Sequence, residues 1–277
     1  MSHQPPKRQP ERTGAPSPKP GPPRWQDVAG TPKARPGARP PLRPMTTTLW
    51  AYPSQHYDGA RTEQGDKRYA GGTPSWVIWQ LLTRYTRPGD VVLDPMCGGG
   101  TTLDVCADLG RAGVGYDLAP SRPDIGQADA RDLPQLDASA DFVFLDPPYS
   151  THIDYSEHPA CIGKLDSSQA AYYEAMAGVF DEAHRVLRDR RYLAVYVSDS
   201  WRKQKGQAGG VFMPIGFELF AMLRQRLRPI DIVCVVRRNA KLRQGSRHQA
   251  AARDNFFLRG FNYLLIFKKE TPNAPGA

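Results

Sequence analysis

From residue 75 onward, short continuous apolar runs alternate with stretches of helical spacing. Ser75-Trp76-Val77-Ile78-Trp79-Gln80-Leu81-Leu82 predicts a helix to about Tyr85, with Thr73 as N-cap and Pro74 at the first helical position. Arg87-Pro88-Gly89-Asp90 then forms a turn. Val91–Asp94 is a short buried strand, Thr101–Leu109 a helix closed by Gly110, and Ala112–Asp117 a second strand. A weak third strand is expected at 124–128, a fourth at 141–146, a long helix at 168–187, and a fifth strand at 192–197. A helix at 216–226, a sixth strand at 230–236 and a seventh at 263–267 complete the pattern. This alternation predicts an α/β fold, a mostly parallel seven-stranded sheet with helices on both faces. No crossover helix is evident between the last two strands, so the seventh is expected to run antiparallel. Ahead of these elements, residues 45–73 form a polar lead-in dotted with aromatics, and no internal repeat occurs.

Composition adds a tail to this picture. Residues 1–44 hold 13 of the 27 prolines and nine Lys/Arg against two acids, Glu11 and Asp27. With no apolar periodicity and little to bury, they are expected to be a disordered basic tail before a single domain at 45–277. The tail lacks the apolar stretch of a secretory leader, and no run of 18 apolar residues predicts a membrane span. Charge divides the rest: 45–181 carry nine Lys/Arg against 19 Asp/Glu, and 182–277 carry 19 against seven. A polyanionic partner is therefore expected at the C-terminal third and the tail. Cys97, Cys106, Cys161 and Cys234 show no CxxC spacing and no companion histidine cluster. Neither zinc nor a disulfide framework is expected, and a reducing cytoplasm is the expected setting.

Two strands end in aspartate and lead into motifs 52 residues apart: Asp94-Pro95-Met96-Cys97-Gly98-Gly99-Gly100-Thr101-Thr102 and Asp146-Pro147-Pro148-Tyr149. Ligands of such sheets bind beyond the C-terminal strand ends, which is where both motifs fall. In the first, Gly98 to Gly100 tolerate positive φ and clear side chains from the path of a ligand. Thr101 and Thr102 are candidate caps of the helix that follows. Asp94 is placed to bind an ammonium, and Asp117, followed by Leu118, to accept from both hydroxyls of a ribose. Asp129 and the backbone amide of Ala130 suit an adenine. A tight turn without a ligand, or a NAD site, shows similar glycines. The GxGxxG spacing is absent, however, and Asp-Pro is unusual before an NAD site. The whole set predicts S-adenosylmethionine (SAM), with Pro95, Met96 and Cys97 in the same site.

The second motif suits a planar amino group. The lone pair of an exocyclic base nitrogen is conjugated with the ring and is a poor nucleophile. An acceptor on each N–H draws the nitrogen towards tetrahedral geometry. Asp146 offers a carboxylate and Pro147 a carbonyl, consecutive prolines stiffen the loop, and Tyr149 offers a ring for stacking. A base attacked in this way must be flipped out or single-stranded. The plain alternative is a proline turn capping a buried strand.

Residues 94–102 and 146–149 resemble the motifs of the DNA amino-methyltransferases, the N6-adenine and N4-cytosine enzymes of DNA methylation and restriction–modification. The resemblance covers about residues 67–269. It implies a SAM-dependent methyltransferase (Rossmann-like) fold, DNA as partner and Asp146, Pro147, Pro148 and Tyr149 as catalytic residues. It also places Thr73 and Pro74 beside the methionine end of SAM. Asp at position 146 leans towards adenine over cytosine. Met96 and Cys97 depart from the family pattern and resemble instead the tRNA and rRNA guanine-N2 methyltransferases, so RNA is the alternative partner. A protein glutamine N5-methyltransferase and a DNA-binding module with a spent cofactor site are further rivals.

Two segments compete for base recognition. Residues 150–166 contain His152, Tyr155, Ser156, His158 and Lys164, with Tyr155 and Ser156 expected to line the base pocket. The segment 237–260 contains Arg237, Arg238, Lys241, Arg243, Arg247 and Arg253. Arginine suits phosphates and base edges, although any single member also reads as a solvated loop charge. Trp201-Arg202-Lys203, with Lys205, is expected to form a basic flap over the site, and Phe256 and Phe257 to pack.

Overall fold

The computed structural model describes residues 39–270, apart from 62, 70, 150–154, 204–209 and 239. The expected tail lies outside the described residues up to 38, but residues 39–44 are tied to the domain. Arg39 Nη1 donates to the Tyr57 carbonyl at 3.2 Å and the Tyr52 hydroxyl to the Pro40 carbonyl at 2.6 Å. The Gln80 amide spans the Arg43 carbonyl and the Met45 N–H. Prolines 40, 41 and 44 have no N–H to satisfy, so their stretch docks through carbonyls met by side chains of the domain.

The elements run β1 (Leu49–Trp50), α1 (Ser75–Tyr85), β2 (Val91–Asp94), α2 (Thr101–Leu109), β3 (Ala112–Asp117), β4 (Gly126–Gln127) and β5 (Ala140–Leu145). Then follow α3 (Ala170–Val186), β6 (Leu187–Val197), β7 (Ser200–Lys203), β8 (Gly210–Met213), α4 (Ile215–Leu223), β9 (Arg228–Val236), α5 (Gly245–Arg253) and β10 (Phe261–Lys268). One sheet has the order β1-β9-β10-β6-β5-β2-β3-β4, and β7 and β8 form a separate antiparallel hairpin. The seven expected strands are present, and β10 is antiparallel to both β6 and β9. Two-residue β1 adds an eighth at the edge, parallel to β9; a lone Leu-Trp pair has no alternation to announce it. The weak third strand shrinks to β4, which pairs only with β3. The segment 237–260, expected as a loop, carries a 3-10 turn, Ala240–Arg243, and the helix α5. Only Ala251 of α5 is buried, so no apolar stripe marked it. The expected basic flap is the β7–β8 hairpin, whose tip lies outside the described residues.

Strand alternation assigns the two faces of the core. Val92, Phe142, Phe144, Ala194, Leu264 and Ile266 face α1, packing with Trp76, Ile78, Leu81 and Leu82. Leu93, Val143, Leu145, Leu193, Val195 and Leu265 face α3 and α4, packing with Met176, Phe180, Leu219 and Leu223. Phe142 and Phe144 are almost fully buried, and truncating either to alanine costs about 3–5 kcal/mol. From β2 the chain builds outward through β3 and β4, then returns to β5 on the other side of β2. The ends of β2 and β5 therefore flank the switch point, where such sheets open a crevice.

Candidate active site

The two motifs meet at that switch point. Asp94 and Gly98 of the first and Asp146 of the second line one small cavity of about 40 Å³, together with Thr73, Cys97, Thr101, Thr102, Tyr69 and Tyr155. A second cavity of about 80 Å³ shares Tyr69, Met96, Asp146 and Tyr155 with it and adds Pro95, Asp117, Leu118, Asp129 and Ala130. A third, of about 320 Å³, is lined by Tyr149, Tyr196, Trp76, Arg237, Arg238 and Asn262, with Pro74 at its wall. Asp146 thus borders both small cavities, and Tyr149 opens onto the large one.

Each acidic group is held by identifiable partners. Asp94 is buried; it accepts from the Thr102 hydroxyl at 2.5 Å and the Met96 amide at 3.1 Å. Burial pushes its carboxyl up to about 7 against these two hydrogen bonds, which pull it down. Asp117 accepts from the Gly98 amide at 3.0 Å and the Ala119 amide at 2.9 Å, so the carboxylate is fixed by two backbone donors. Asp129 is gripped by Arg131, at 2.9 Å to Nε and 2.6 Å to Nη2, and sits below the ordinary carboxylate range for that reason. Asp146 accepts from the Thr73 hydroxyl. Burial pushes Asp146 up to about 8, the Thr73 hydrogen bond and Arg237 lower it, and the Asp94 charge raises it.

Several expected roles change. Thr73 does not cap α1; Pro74 occupies the N-cap and the threonine hydroxyl is spent on Asp146. Thr102 likewise serves Asp94, while Gly100, with φ 77°, is the N-cap of α2 and no side chain caps that end. Gly100 turns the chain and lines none of the three cavities; a Cβ there would meet Arg122. Tyr155 and Ser156 border the 80 Å³ cavity with Asp117 and Asp129, not the large one. His152 lies outside the described residues. Of the expected polyanion contacts, Arg237 and Arg238 line the large cavity. Arg202 pairs with Asp166 at 2.6 Å and Lys164 with Glu157 at 3.8 Å. Arg253 pairs with Asp254 at 3.1 Å. Arg243 and Arg247 are exposed along the turn and α5, where Lys241 also falls.

Sequence reasoning missed Tyr69 and Asn262. The Tyr69 ring lies against the glycine turn: a Cβ on Gly98 would come within 2.6 Å of it. Its loop is anchored by the Asp66 amide on the Gly99 carbonyl at 2.7 Å and the Gly65 amide on Asp104 at 2.7 Å. Asn262 stands on β10, in alternation with Leu264 and Ile266 on the α1 side of the sheet, and lines the large cavity with Tyr149. A lone asparagine in an apolar strand was the one available signal. Among the described residues no group of His, Cys, Asp and Glu suits a metal, and no helix is long and apolar enough to cross a membrane.

Residues 18–127 match the family model of DNA methylases, a span that includes the glycine turn and Asp117 and stops short of Asp146. The type II methyltransferase M.HinfI of Haemophilus influenzae is 30% identical over 73 residues, 26% of this chain and 20% of that protein. M.HpaI of Haemophilus parainfluenzae is 29% identical over 72 residues, 26% of this chain and 22% of that protein. The chain thus spans about a fifth of the length of these curated relatives. Among solved structures, a geranyl diphosphate C-methyltransferase from Streptomyces coelicolor is 16% identical, covering 71% of this chain and 78% of that one, at a TM-score of 0.45. A SAM-dependent methyltransferase from Methanosarcina mazei is 14% identical, covering 69% and 97%, at 0.42.

Proposed function

We propose, for a chain that resembles the DNA amino-methyltransferases in both motifs, that it transfers the methyl group of SAM to an exocyclic amino group of a base in DNA, adenine N6 ahead of cytosine N4. The observation that carries this reading is the shared cavity of Asp94, Gly98 and Asp146, which sets the cofactor turn beside the amino clamp.

The donor set fits SAM. Asp94 lies in a closed recess and suits an ammonium. Asp117, oriented by two amides, keeps a lone pair on each oxygen for a ribose diol. Bound there, SAM supplies an electrophilic methyl group. The chain does the rest. Asp146 and the Pro147 carbonyl accept from the two amino N–H groups, and Pro147-Pro148 holds both acceptors rigid. Preorganised acceptors of this kind are worth on the order of 10²-fold in rate each. Tyr149 forms a wall of the 320 Å³ cavity on which the base stacks. Burial makes Asp146 reluctant to ionise, so the carboxylate is strongest as an acceptor when an amino group lies against it. The proton leaves to water after transfer, and no side-chain base is required.

The reading is tested with labelled SAM, duplex DNA and tRNA, followed by nucleoside mass spectrometry. Methyl label in DNA as N6-methyladenine, lost in Asp146→Ala while that variant still binds SAM, supports it. Label confined to tRNA, or an active Asp146→Ala, overturns it.

A further inference from the structure

Phe256 and Phe257 are neighbours in the chain with opposite surroundings. Phe256 packs as expected, its ring stacked on Trp201 of β7 at 4.0 Å between centroids and 11° between planes. Phe257 does not pack. It is 85% exposed, more than any other large apolar side chain among the described residues. One exposed apolar side chain is ordinary by itself. What sets Phe257 apart is how firmly its backbone is held. Asn255 takes a φ of 51°, and the Phe256 amide donates back to the Ala251 carbonyl at 3.0 Å, the left-handed residue and the 6→1 bond of a Schellman ending to α5. On the other side the Arg259 guanidinium donates to the Phe257 carbonyl, at 2.6 Å from Nη2 and 3.2 Å from Nε. Its Cζ lies 5.2 Å from the centre of the Phe212 ring on β8. Trp201 and Phe212 stand opposite each other across the β7–β8 hairpin. The hairpin therefore clamps the chain on both sides of Phe257 and leaves its ring in solvent.

That ring stands at the edge of the sheet that carries the candidate site. β10 starts at Phe261, opposite Val236 at the end of β9, and Tyr263 lies opposite Val197 at the end of β6. β6 runs parallel to β5, which leads into Asp146 at the same edge. The Arg237 amide donates to the Gly260 carbonyl at 2.9 Å, and Arg237 lines the 320 Å³ cavity. Phe257 is three residues from Gly260, a reach of about 10 Å at most, or about three base-pair steps of duplex. Its segment, 237–259, carries seven Lys/Arg and one acid, Asp254. A second copy of this chain would set that charge against itself, whereas the phosphates of a duplex complement it.

We propose that Phe257 is a positioning residue that inserts into duplex DNA beside the target nucleotide, its ring filling the gap left when the base turns out. The inference rests on the proposed function for the identity of the partner, because an amino group inside a base pair cannot reach the Asp146 clamp. Turning the base out breaks its pairing and its stacking on both neighbours. An apolar wedge restores part of that stacking and holds the gap open. A phenyl ring suits the task because every base offers it a π-face. A wedge also needs a backbone that does not yield, which the two clamps supply.

Full-length protein with S-adenosylhomocysteine is titrated with plasmid DNA from a methylation-free host. Tryptophan emission is followed in Phe257→Trp and in Leu136→Trp, an exposed position ahead of β5 at the opposite edge of the sheet. The emission added in Phe257→Trp is quenched by stacking, and that added in Leu136→Trp is unchanged. The second measurement is methyl transfer from labelled SAM to native and to heat-denatured plasmid. The target in denatured DNA is already unstacked. The ratio of label in native to denatured DNA therefore falls about tenfold in Phe257→Ala, the value of one base–aromatic stack, and recovers in Phe257→Trp. Any loss of folded protein cancels in this ratio. Unquenched emission in Phe257→Trp overturns the inference, as does an unchanged ratio in Phe257→Ala. A dimer that sediments in wild type and is lost in Phe257→Ala overturns it too, because the ring then belongs to a contact between copies. Failure of the proposed methyl transfer shows separately, as quenching in Phe257→Trp with no label in either DNA.

Discussion

Thr73 and Asp146, 73 residues apart, are joined by a hydrogen bond in which the threonine hydroxyl donates to Oδ2 of the carboxylate. It ties the entry of α1 to the end of β5 at the wall of the 40 Å³ cavity that both residues line. One carboxylate oxygen is thereby held, and Oδ1 is left for the amino group of the proposed substrate. The bond also lowers the affinity of Asp146 for protons, opposing its burial.

Thr73→Val therefore lowers kcat by about tenfold or more, the value of a hydrogen bond to a charged group. The acid limb of activity set by Asp146 ionisation moves to higher pH, because a hydrogen bond to the charged form is gone. Thr73→Ser keeps both values near wild type. A pH–kcat profile of Thr73→Val that superimposes on wild type would show that the hydroxyl only supports the fold.

Stability should fall as pH rises. Asp94 is pushed up to about 7 and Asp146 to about 8, from 3.8 in the unfolded chain. Between those limits the native state binds more protons than the unfolded one, so the contribution is complete below about pH 4 and gone above pH 8. Unfolding free energies from urea titrations at pH 6 and pH 8.5 should differ by on the order of 4 kcal/mol in favour of pH 6. Asp94→Asn should remove part of the slope. A bound ammonium next to Asp94 favours its ionised form, so cofactor binding tightens over the same pH rise. A flat or rising stability profile between pH 6 and 8.5 contradicts the burial of these two carboxyls.

Much of this site was visible in the chain because its parts are local. Asp94, Asp117 and Asp146 close short apolar strands, and strand ends in an alternating α/β pattern converge on one edge. What stayed hidden is long-range. Thr73 has the sequence of a cap, and only the approach of β5 shows its hydroxyl committed to Asp146. Asn262 is one polar residue in Phe261-Asn262-Tyr263-Leu264, and its place at the large cavity depends on β10 lying beside β9, which ends at Val236, just before Arg237. Edge strand β1 and helix α5 escaped because neither buries more than one residue.

Tyr69 packs on the glycine turn of the proposed cofactor site and lines both of its cavities. The two cavities it borders, about 40 and 80 Å³, are small beside the roughly 300 Å³ at the low end of ligand pockets. The ring rests on Gly98 and stands 6.4 Å from the Tyr155 ring, centroid to centroid. Entry of a nucleoside at the proposed site is therefore expected to need the Tyr69 ring to withdraw. Tyr69→Ala should raise the association rate of a fluorescent SAM analogue several-fold in rapid mixing. Gly98→Ala, with φ 49° and its Cβ against the ring, should destabilise the turn and weaken binding. An unchanged association rate in Tyr69→Ala would mean that the cofactor enters by another route.

The basic residues should separate by salt dependence. Arg238 is exposed at the rim of the large cavity, where DNA is proposed to lie. Neutralising one phosphate releases about one counterion, so Arg238→Ala should flatten the plot of log K against log salt by about 1. Arg202 reaches Asp166 at 2.6 Å and is already neutralised within the chain. Arg202→Ala should leave the slope unchanged and instead loosen the β7–β8 pairing, seen as faster amide hydrogen exchange in Ser200–Lys203 and Gly210–Met213. Equal slope losses for the two variants, by fluorescence anisotropy on a labelled duplex from 50 to 300 mM salt, would place the DNA across the hairpin as well as the rim.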